Sequence, residues 1–360
     1  MKPTTDLLDA PRHTVALARI PAPVRTCVRW VLVFGAAFLI FAAFLVAKGA
    51  DPMEVYESMW RSAFSSGNNL GETLMRATPI LLAGLAVAVP ARAGLFNIGG
   101  EGQLLLGAIG AHATATALGD ALPTVITLTL MAIGGATAGM IWALGPALLK
   151  RYTATNETIT SLLSNYLAAI LLAWLVFVPW KDPQSLGQAY STELTGPQSL
   201  PVLWGNRVNA GIVLAALVPV LLWLAFRYTP WGFKLKVIGG NSEAARRAGM
   251  AVGSLTVGAM AVGGALAGLG GMVEVAGIEG RLRPGMLFGY GYIGFLASWL
   301  ARHHPIKIIA ASVLLGGIAI GGNGLKISAG LSGAAVNVLM ALVLLAVLGW
   351  GTRPSQGAVR

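Results

Sequence analysis

The stretch VRWVLVFGAAFLIFAAFLVA, Val28 to Ala47, carries no charge after Arg29. About 20 mostly apolar residues cross about 30 Å of hydrocarbon, so this stretch is long enough to span a membrane. It is not a cleaved signal peptide: a long polar segment with Lys2, Arg12, Arg19 and Arg25 precedes it, and the apolar run is too long. Further apolar stretches follow near Leu74–Val89, Leu95–Leu118, Leu122–Leu149, Ile159–Val178, Ala210–Phe226, Leu255–Val275, Leu287–Leu300, Ile308–Ile320 and Leu331–Leu348. The pattern predicts an all-α polytopic membrane protein of about ten transmembrane helices.

The composition of the 360 residues agrees. Hydrophobic residues make up 56% and charged residues 11%, with a mean hydropathy of +0.72, where a soluble globular protein carries roughly 25% charged residues. That balance argues against a soluble enzyme, a disordered chain or a nucleic-acid binder. Cys27 is the single cysteine, which excludes a disulfide framework and any multi-Cys metal site, and four histidines leave little for a metal centre. No metal site is expected.

The excess of 25 Lys+Arg over 14 Asp+Glu has a topological reading, because cytoplasmic loops collect basic residues. Ten spans put both termini on one side. With the N-terminus inside, 17 basic residues fall in cytoplasmic segments and 8 in outer ones. The expected organisation is a cytoplasmic N-terminal extension over 1–27, a transmembrane domain over 28–350 and a cytoplasmic tail over 351–360. Within the domain, residues 179–208 form an external loop and 229–250 a cytoplasmic segment.

Four segments depart from generic membrane helix. In Ala93–Gln103, AGLFNIGGEGQ, the polar residues Asn97, Glu101 and Gln103 sit among glycines. A carboxylate at membrane depth costs at least ~2.5 kcal/mol, so Glu101 should face a partner or a wet cavity. The glycines suit a broken or re-entrant element. Glu101 either lines a polar pathway or staples neighbouring helices. In Thr155–Tyr166, TNETITSLLSNY, Asn156 or Thr155 can cap a helix with Glu157 in its first turn. Thr158, Ser161 and Asn165 recur at helical spacing, a polar stripe that suits solute passage or helix–helix hydrogen bonding equally.

The third segment, Pro230–Met250, opens on a Pro-Trp-Gly turn and continues as a strand-like or irregular basic stretch broken at Gly239, Gly240 and Asn241. Ser242–Ala248 then reads as a short helix capped by Asn241 or Ser242, either a surface for a cytoplasmic partner or an ordinary basic loop. The fourth, Pro179–Val208, is rich in Pro and Trp and suggests an ordered external lid or docking surface, with Trp180 and Trp204 as interface anchors. The glycine-rich run Gly258–Gly271 is a face for close helix packing. Gly84–Gly107 and Gly268–Gly291 echo each other in small residues and an acidic-Gly pair, compatible with an inverted repeat of two four-helix units.

Together GLFNIGGEGQLLLGA (Gly94–Ala108), NETITSLLSNYLA (Asn156–Ala168) and GFKLKVIGGNSEAARRAGM (Gly232–Met250) resemble permease subunits of bacterial ABC importers. The likeness runs over Leu74–Leu348 and is to the ribose/branched-chain amino-acid type, within it to nucleoside permeases served by basic-membrane-protein-type binding lipoproteins. It implies a bacterial inner-membrane subunit working with a second permease (a heterodimer by the habit of the nucleoside members), an ABC ATPase and an extracytoplasmic substrate-binding protein. It also implies a coupling helix at Asn241, Ser242, Glu243, Ala244, Ala245 and Arg246, with Gly239 before it. The chain has no GxxxxGK[ST] phosphate loop, so ATP and Mg are expected in the partner ATPase, with no cofactor and no enzyme activity in this chain. A neutral nucleoside needs amides, hydroxyls and small residues along its path, and Asn97, Glu101, Gln103, Asn156, Thr158, Ser161 and Asn165 are the candidates.

Other readings remain. The cargo could be a simple sugar or a branched-chain amino acid. An ion-coupled secondary transporter would need intramembrane carboxylates, for which Glu101 and Glu274 are the candidates, neither with an obvious charged partner in sequence. A membrane-embedded enzyme finds no HExxH, GxSxG or paired-aspartate motif.

Overall fold

A computed structural model describes residues 22–351 apart from 186, 205–207, 329 and 332–334. Most of the expected N-terminal extension, and the tail beyond 351, lie outside the described residues. The helices are α1 (Ala22–Ala47), α2 (Pro52–Phe64), α3 (Gly67–Arg92), α4 (Gly100–Leu118), α5 (Thr124–Thr153), α6 (Glu157–Phe177) and α7 (Gly211–Tyr228). After them come α8 (Pro230–Gly240), α9 (Ser242–Arg247), α10 (Val252–Glu274), α11 (Tyr290–Leu300), α12 (Pro305–Ser328) and α13 (Ala335–Gly351). Two short antiparallel strands, β1 (Val202–Trp204) and β2 (Val208–Asn209), sit between α6 and α7.

Glycine sets where the helices cross. A Cβ on Gly264 of α10 would lie 2.4 Å from the carbonyl oxygen of Gly139 in α5, and one on Gly268 would lie 2.2 Å from that of Gly135. Backbones this close exclude any side chain, so the small-residue run is the seam on which α10 meets α5. Along α10, Gly263 meets Ala86 and Pro90 of α3, whereas Gly270 meets Pro79 and Leu82. The register rises on one helix as it falls on the other, so α3 and α10 run antiparallel. Around this pair α4 and α5 pack on α10, while α11 and α12 pack on α3. The two helices thus exchange partners: the four-helix runs α3–α6 and α10–α13 each lay their second and third members against the first helix of the other run.

Most of α3 is enclosed, with Leu82, Leu85 and Ala88 buried. The outer wall is apolar and exposed, as at Leu39, Ile133, Ile170 and Leu221, the pattern of a surface that faces hydrocarbon rather than water.

By length and apolarity, six of the described helices can cross a membrane, or seven if α1 and α2, bent by 116°, count as one span. The sequence leads one to expect ten. Among the described residues the third missing stretch, Leu331–Leu348, yields only the short apolar helix Ala335–Ala346, and the other two have local causes. The stretch Leu95–Leu118 does not form one helix: residues 95–98 are non-helical, and α4, which starts at Gly100, carries Glu101, Gln103 and His112. The stretch Leu287–Leu300 yields only the 11 residues of α11, because Gly280, Gly285, Leu287 and Gly289 all have positive φ and cannot continue a right-handed helix. A second difference concerns Pro230–Gly240, which is helical rather than strand-like. Thr229 caps it through Gly232 N, and Pro230 supplies the first turn.

Candidate functional site

Two breaks in the helical structure face each other. The first is the connection from α3 to α4. Asn97 is fully buried there, and its side-chain amide pairs reciprocally with that of Gln103: Asn97 Nδ2 donates to Gln103 Oε1 at 3.0 Å and Gln103 Nε2 to Asn97 Oδ1 at 3.0 Å. Asn97 also donates to Ala86 O at 3.1 Å and accepts from Gly99 N at 3.1 Å. This network satisfies backbone groups that the break frees, as a non-helical segment in a membrane fold requires.

The α6 stripe clamps the same break from outside. Glu157 Oε1 accepts from Phe96 N at 3.4 Å, and Ser161 Oγ accepts from Ile98 N at 3.3 Å. Asn165 accepts from Gly102 N at 2.8 Å and donates to Ile98 O at 3.0 Å. The other oxygen of Glu157 takes Lys150 Nζ at 2.5 Å. Asn97, Glu101, Gln103, Ser161 and Asn165 therefore converge, all buried. Asn156 does not join them: it is exposed and caps α6 through Thr158 N at 2.8 Å. Thr158 is half-buried and offers its carbonyl to Ser161 Oγ at 3.2 Å.

The second break joins α10 to α11. It opens with a π-helical turn, Val275–Glu279, and is tied down largely by backbone groups. Leu200 N donates to Ala276 O at 2.8 Å, Leu194 N to Gly280 O at 2.8 Å, and Ser191 N to Leu282 O at 3.0 Å. Asn209 Nδ2 adds a bond to Gly277 O at 2.7 Å. Residues 191–200 thus form a strap across this break, also held to α4 by Gln198 Nε2 on Ala115 O at 3.2 Å. Trp180 packs on His112 with ring centroids 5.5 Å apart, inside the fold, whereas Trp204 is exposed.

Glu101 joins the two breaks. Its Oε2 accepts from Gly289 N at 3.0 Å, so a carboxylate in the first turn of α4 caps the start of α11. The N-terminal ends of both helices, the positive ends of their dipoles, meet at this one carboxyl group. The approach is close enough that a Cβ on Gly291 would lie 2.2 Å from Glu101 N. No sequence pattern marks this contact.

Glu274 differs from its expectation, because it has a basic neighbour. Arg76 stands 3.9 Å from its Oε1, while the guanidinium hydrogen-bonds the hydroxyl of Tyr290. Neither oxygen of Glu274 accepts a hydrogen bond among the described residues, although its side chain is almost fully buried.

The segment that leads to α10 folds as a helical hairpin. Asn241 accepts from Glu243 N at 3.1 Å and Ala244 N at 2.9 Å, starting α9 at Ser242. Ala245 is fully buried, whereas Glu243, Arg246 and Arg247 are exposed and paired with one another. The preceding helix α8 rests on the end of α3. A Cβ on Gly239 would lie 2.3 Å from Arg92 O, and Arg92 itself donates to Gly232 O and Phe226 O, each at 3.3 Å. One end of α3 thus carries both the first break and the α8–α9 hairpin.

Residues 69–348 match a family described as the permease component of the branched-chain amino acid transport system. A glucose ABC transporter permease protein of Haloferax volcanii is 36% identical, covering 90% of this chain and 89% of its own length. A guanosine ABC transporter permease protein of Bacillus subtilis is 33% identical over 88% of this chain and 89% of its own. A nucleoside ABC transporter permease protein of Lactococcus lactis is 30% identical over 82% of both. A family match of this extent, on a polytopic helical fold, leaves one conclusion: the chain belongs to the branched-chain amino acid transport system permease family.

Proposed function

We propose that the chain is the membrane-spanning permease subunit of an ATP-driven importer that passes a neutral, hydroxylated cargo, with a nucleoside as the leading candidate. The observation that carries this reading is the capped, exposed helix α9 on a hairpin whose other arm, α8, is seated through Gly239 on the end of α3. Such a hairpin can accept a push from a partner and hand it to the broken span. The relatives named for guanosine, nucleosides and glucose handle cargoes that share neutrality and multiple hydroxyls, which favours the same class here.

In this reading Asn241, Ser242, Glu243, Ala244, Ala245 and Arg246 insert into a groove of a separate ATPase subunit, which holds ATP and Mg. The motion passes through Gly239 and Arg92 to the first break. Asn97, Gln103, Ser161 and Asn165 shape the path wall there, with Asn156 and Thr158 at its α6 end and Glu101 at its centre. The protein lies in the bacterial inner membrane with both termini cytoplasmic. Ten membrane segments include α4, with its polar first turn, and the short α11 as members of an inverted repeat, a reading supported by the antiparallel α3–α10 pair and the exchange of packing partners. A second, different permease chain and an external binding protein complete the assembly.

The test is ATPase activity of the complete assembly in lipid, with its binding protein, against a panel of nucleosides, sugars and branched-chain amino acids. Stimulation by nucleosides is the expected result. Stimulation by sugars or branched-chain amino acids alone would keep the importer and replace the cargo. Uptake driven by an ion gradient, with no ATPase in the assembly, would overturn the reading.

A further inference from the structure

A cleft of about 600 Å³ opens at the N-terminal end of α3. Among the described residues its walls include Asn68, Glu72, Met75 and Arg76 from α3, Val202 from β1 and Ile278 from the π-helical turn. Helix α3 has 26 residues, which at 1.5 Å per residue is about 39 Å, longer than the hydrocarbon core of about 30 Å. The cleft and the α8–α9 hairpin therefore sit at opposite ends of one membrane-spanning rod.

The chemistry of the cleft is specific. Asn68, Glu72 and Arg76 follow at i, i+4 and i+8, on one face of α3. A carboxylate and a guanidinium one turn apart leave the face with no net charge, so it does not favour a ligand of either net sign. A hydroxyl can donate to the carboxylate and accept from the guanidinium. The carboxylate has about four lone-pair sites, so it can serve a ligand alongside any other contact. Met75, Val202 and Ile278 supply an apolar wall for a ring face. The volume lies within the roughly 300–1,000 Å³ typical of small-molecule sites.

Arg76 gives the cleft a second, independent mark. The same guanidinium bonds Tyr290 of α11 and stands 3.9 Å from the buried carboxylate of Glu274 in α10, whose oxygens accept no hydrogen bond among the described residues. A ligand at Arg76 thus touches the residue that bridges both halves of the fold.

We propose that this cleft is a docking site for the hydroxylated cargo at the end of the protein remote from the ATPase, with Glu72 and Asn68 reading vicinal hydroxyls and Arg76 an acceptor oxygen. The site rests on the importer reading, and its test separates the two. The complete assembly in proteoliposomes, with its binding protein, is supplied with labelled guanosine or labelled 2′,3′-dideoxyguanosine, each below saturation. Glu72→Gln should lower guanosine uptake about tenfold while leaving the dideoxy analogue within twofold, and Glu72→Asp should restore part of the loss. ATPase activity without cargo should stay within twofold, as a check on assembly. If Glu72→Gln does not assemble, Asn68→Ala is read in the same way. An unchanged ratio of the two uptakes, or a parallel fall of both, would overturn the cleft while leaving the importer intact. Wild-type protein that imports neither compound nor glucose on ATP would overturn both readings.

Discussion

The two helix breaks do the same geometric job by opposite chemical means. The α3–α4 break is short, and side-chain amides and the α6 stripe hold it: Asn97, Gln103, Ser161, Asn165 and Glu157 replace the missing helical bonds. The α10–α11 break is longer. It bends through four positive-φ residues, Gly280, Gly285, Leu287 and Gly289, and takes three of its bonds from the backbone N–H groups of Ser191, Leu194 and Leu200 in the strap. The first break is therefore locked to the bundle and to the α8–α9 end. The second is locked to a segment outside the bundle helices. They touch through the hydrogen bond from Gly289 N to Glu101. A fold built this way can pass a displacement between its two ends through that junction.

Breaking the junction should have the largest effect. Gly291→Val places side-chain atoms where a Cβ alone would already lie 2.2 Å from Glu101 N, so uptake by the reconstituted assembly should fall at least tenfold. Retention of full uptake would show that the two breaks need not meet. Next comes the polar lock. Asn97→Ala leaves Gln103 and two backbone groups without their partner, and each orphaned buried group costs about 1–3 kcal/mol. Thermal unfolding in detergent should therefore show a loss of about 3 kcal/mol. Asn209→Ala removes one side-chain tie from a break that keeps its backbone ones, together with the bond from Gly211 N at the start of α7, and should cost about 2 kcal/mol in the same assay. Equal losses for the two variants would dissolve the contrast between the breaks.

The smallest effect is on pH. His303, in the turn between α11 and α12, is held below the usual imidazole range by burial, and its Nδ1 lies 3.0 Å from Ser298 Oγ. Its folded-state pKa is lower than the unfolded value of about 6.5. Its contribution is therefore present above that pH and lost as pH falls below it. Melting temperature should drop between pH 7 and 5, and His303→Gln should shrink the drop.

Much of this was legible in the residues. The glycines and polar side chains of 94–103 mark a break because a helix neither needs such glycines nor tolerates such groups in lipid. Asn241 before Ser242 and Glu243 marks a capped helix start, and the Gly258–Gly271 run marks a close crossing. What escaped depends on distant partners. The Arg76 beside Glu274 comes from another helix. The pairing of Asn97 with Gln103 crosses a chain bend, where helical spacing says nothing. Gly239 and Gly240 read as breakers, yet α8 continues through them, since Gly239 is needed to let the helix lie against Arg92 O. The breaks next to α4 and α11 escaped for a related reason: hydropathy sums over residues 95–118 and 287–300 without registering the bends inside them.

The most direct test of the coupling route is the number of cargo molecules imported per ATP hydrolysed, measured for wild type and Gly239→Val in the complete reconstituted assembly. A Cβ at this position would lie 2.3 Å from Arg92 O, so the variant pushes α8 off α3 without touching the exposed residues of α9. The expected result is ATPase activity within twofold of wild type and a ratio at least tenfold lower. A wild-type ratio in a variant that hydrolyses ATP at the normal rate would contradict it.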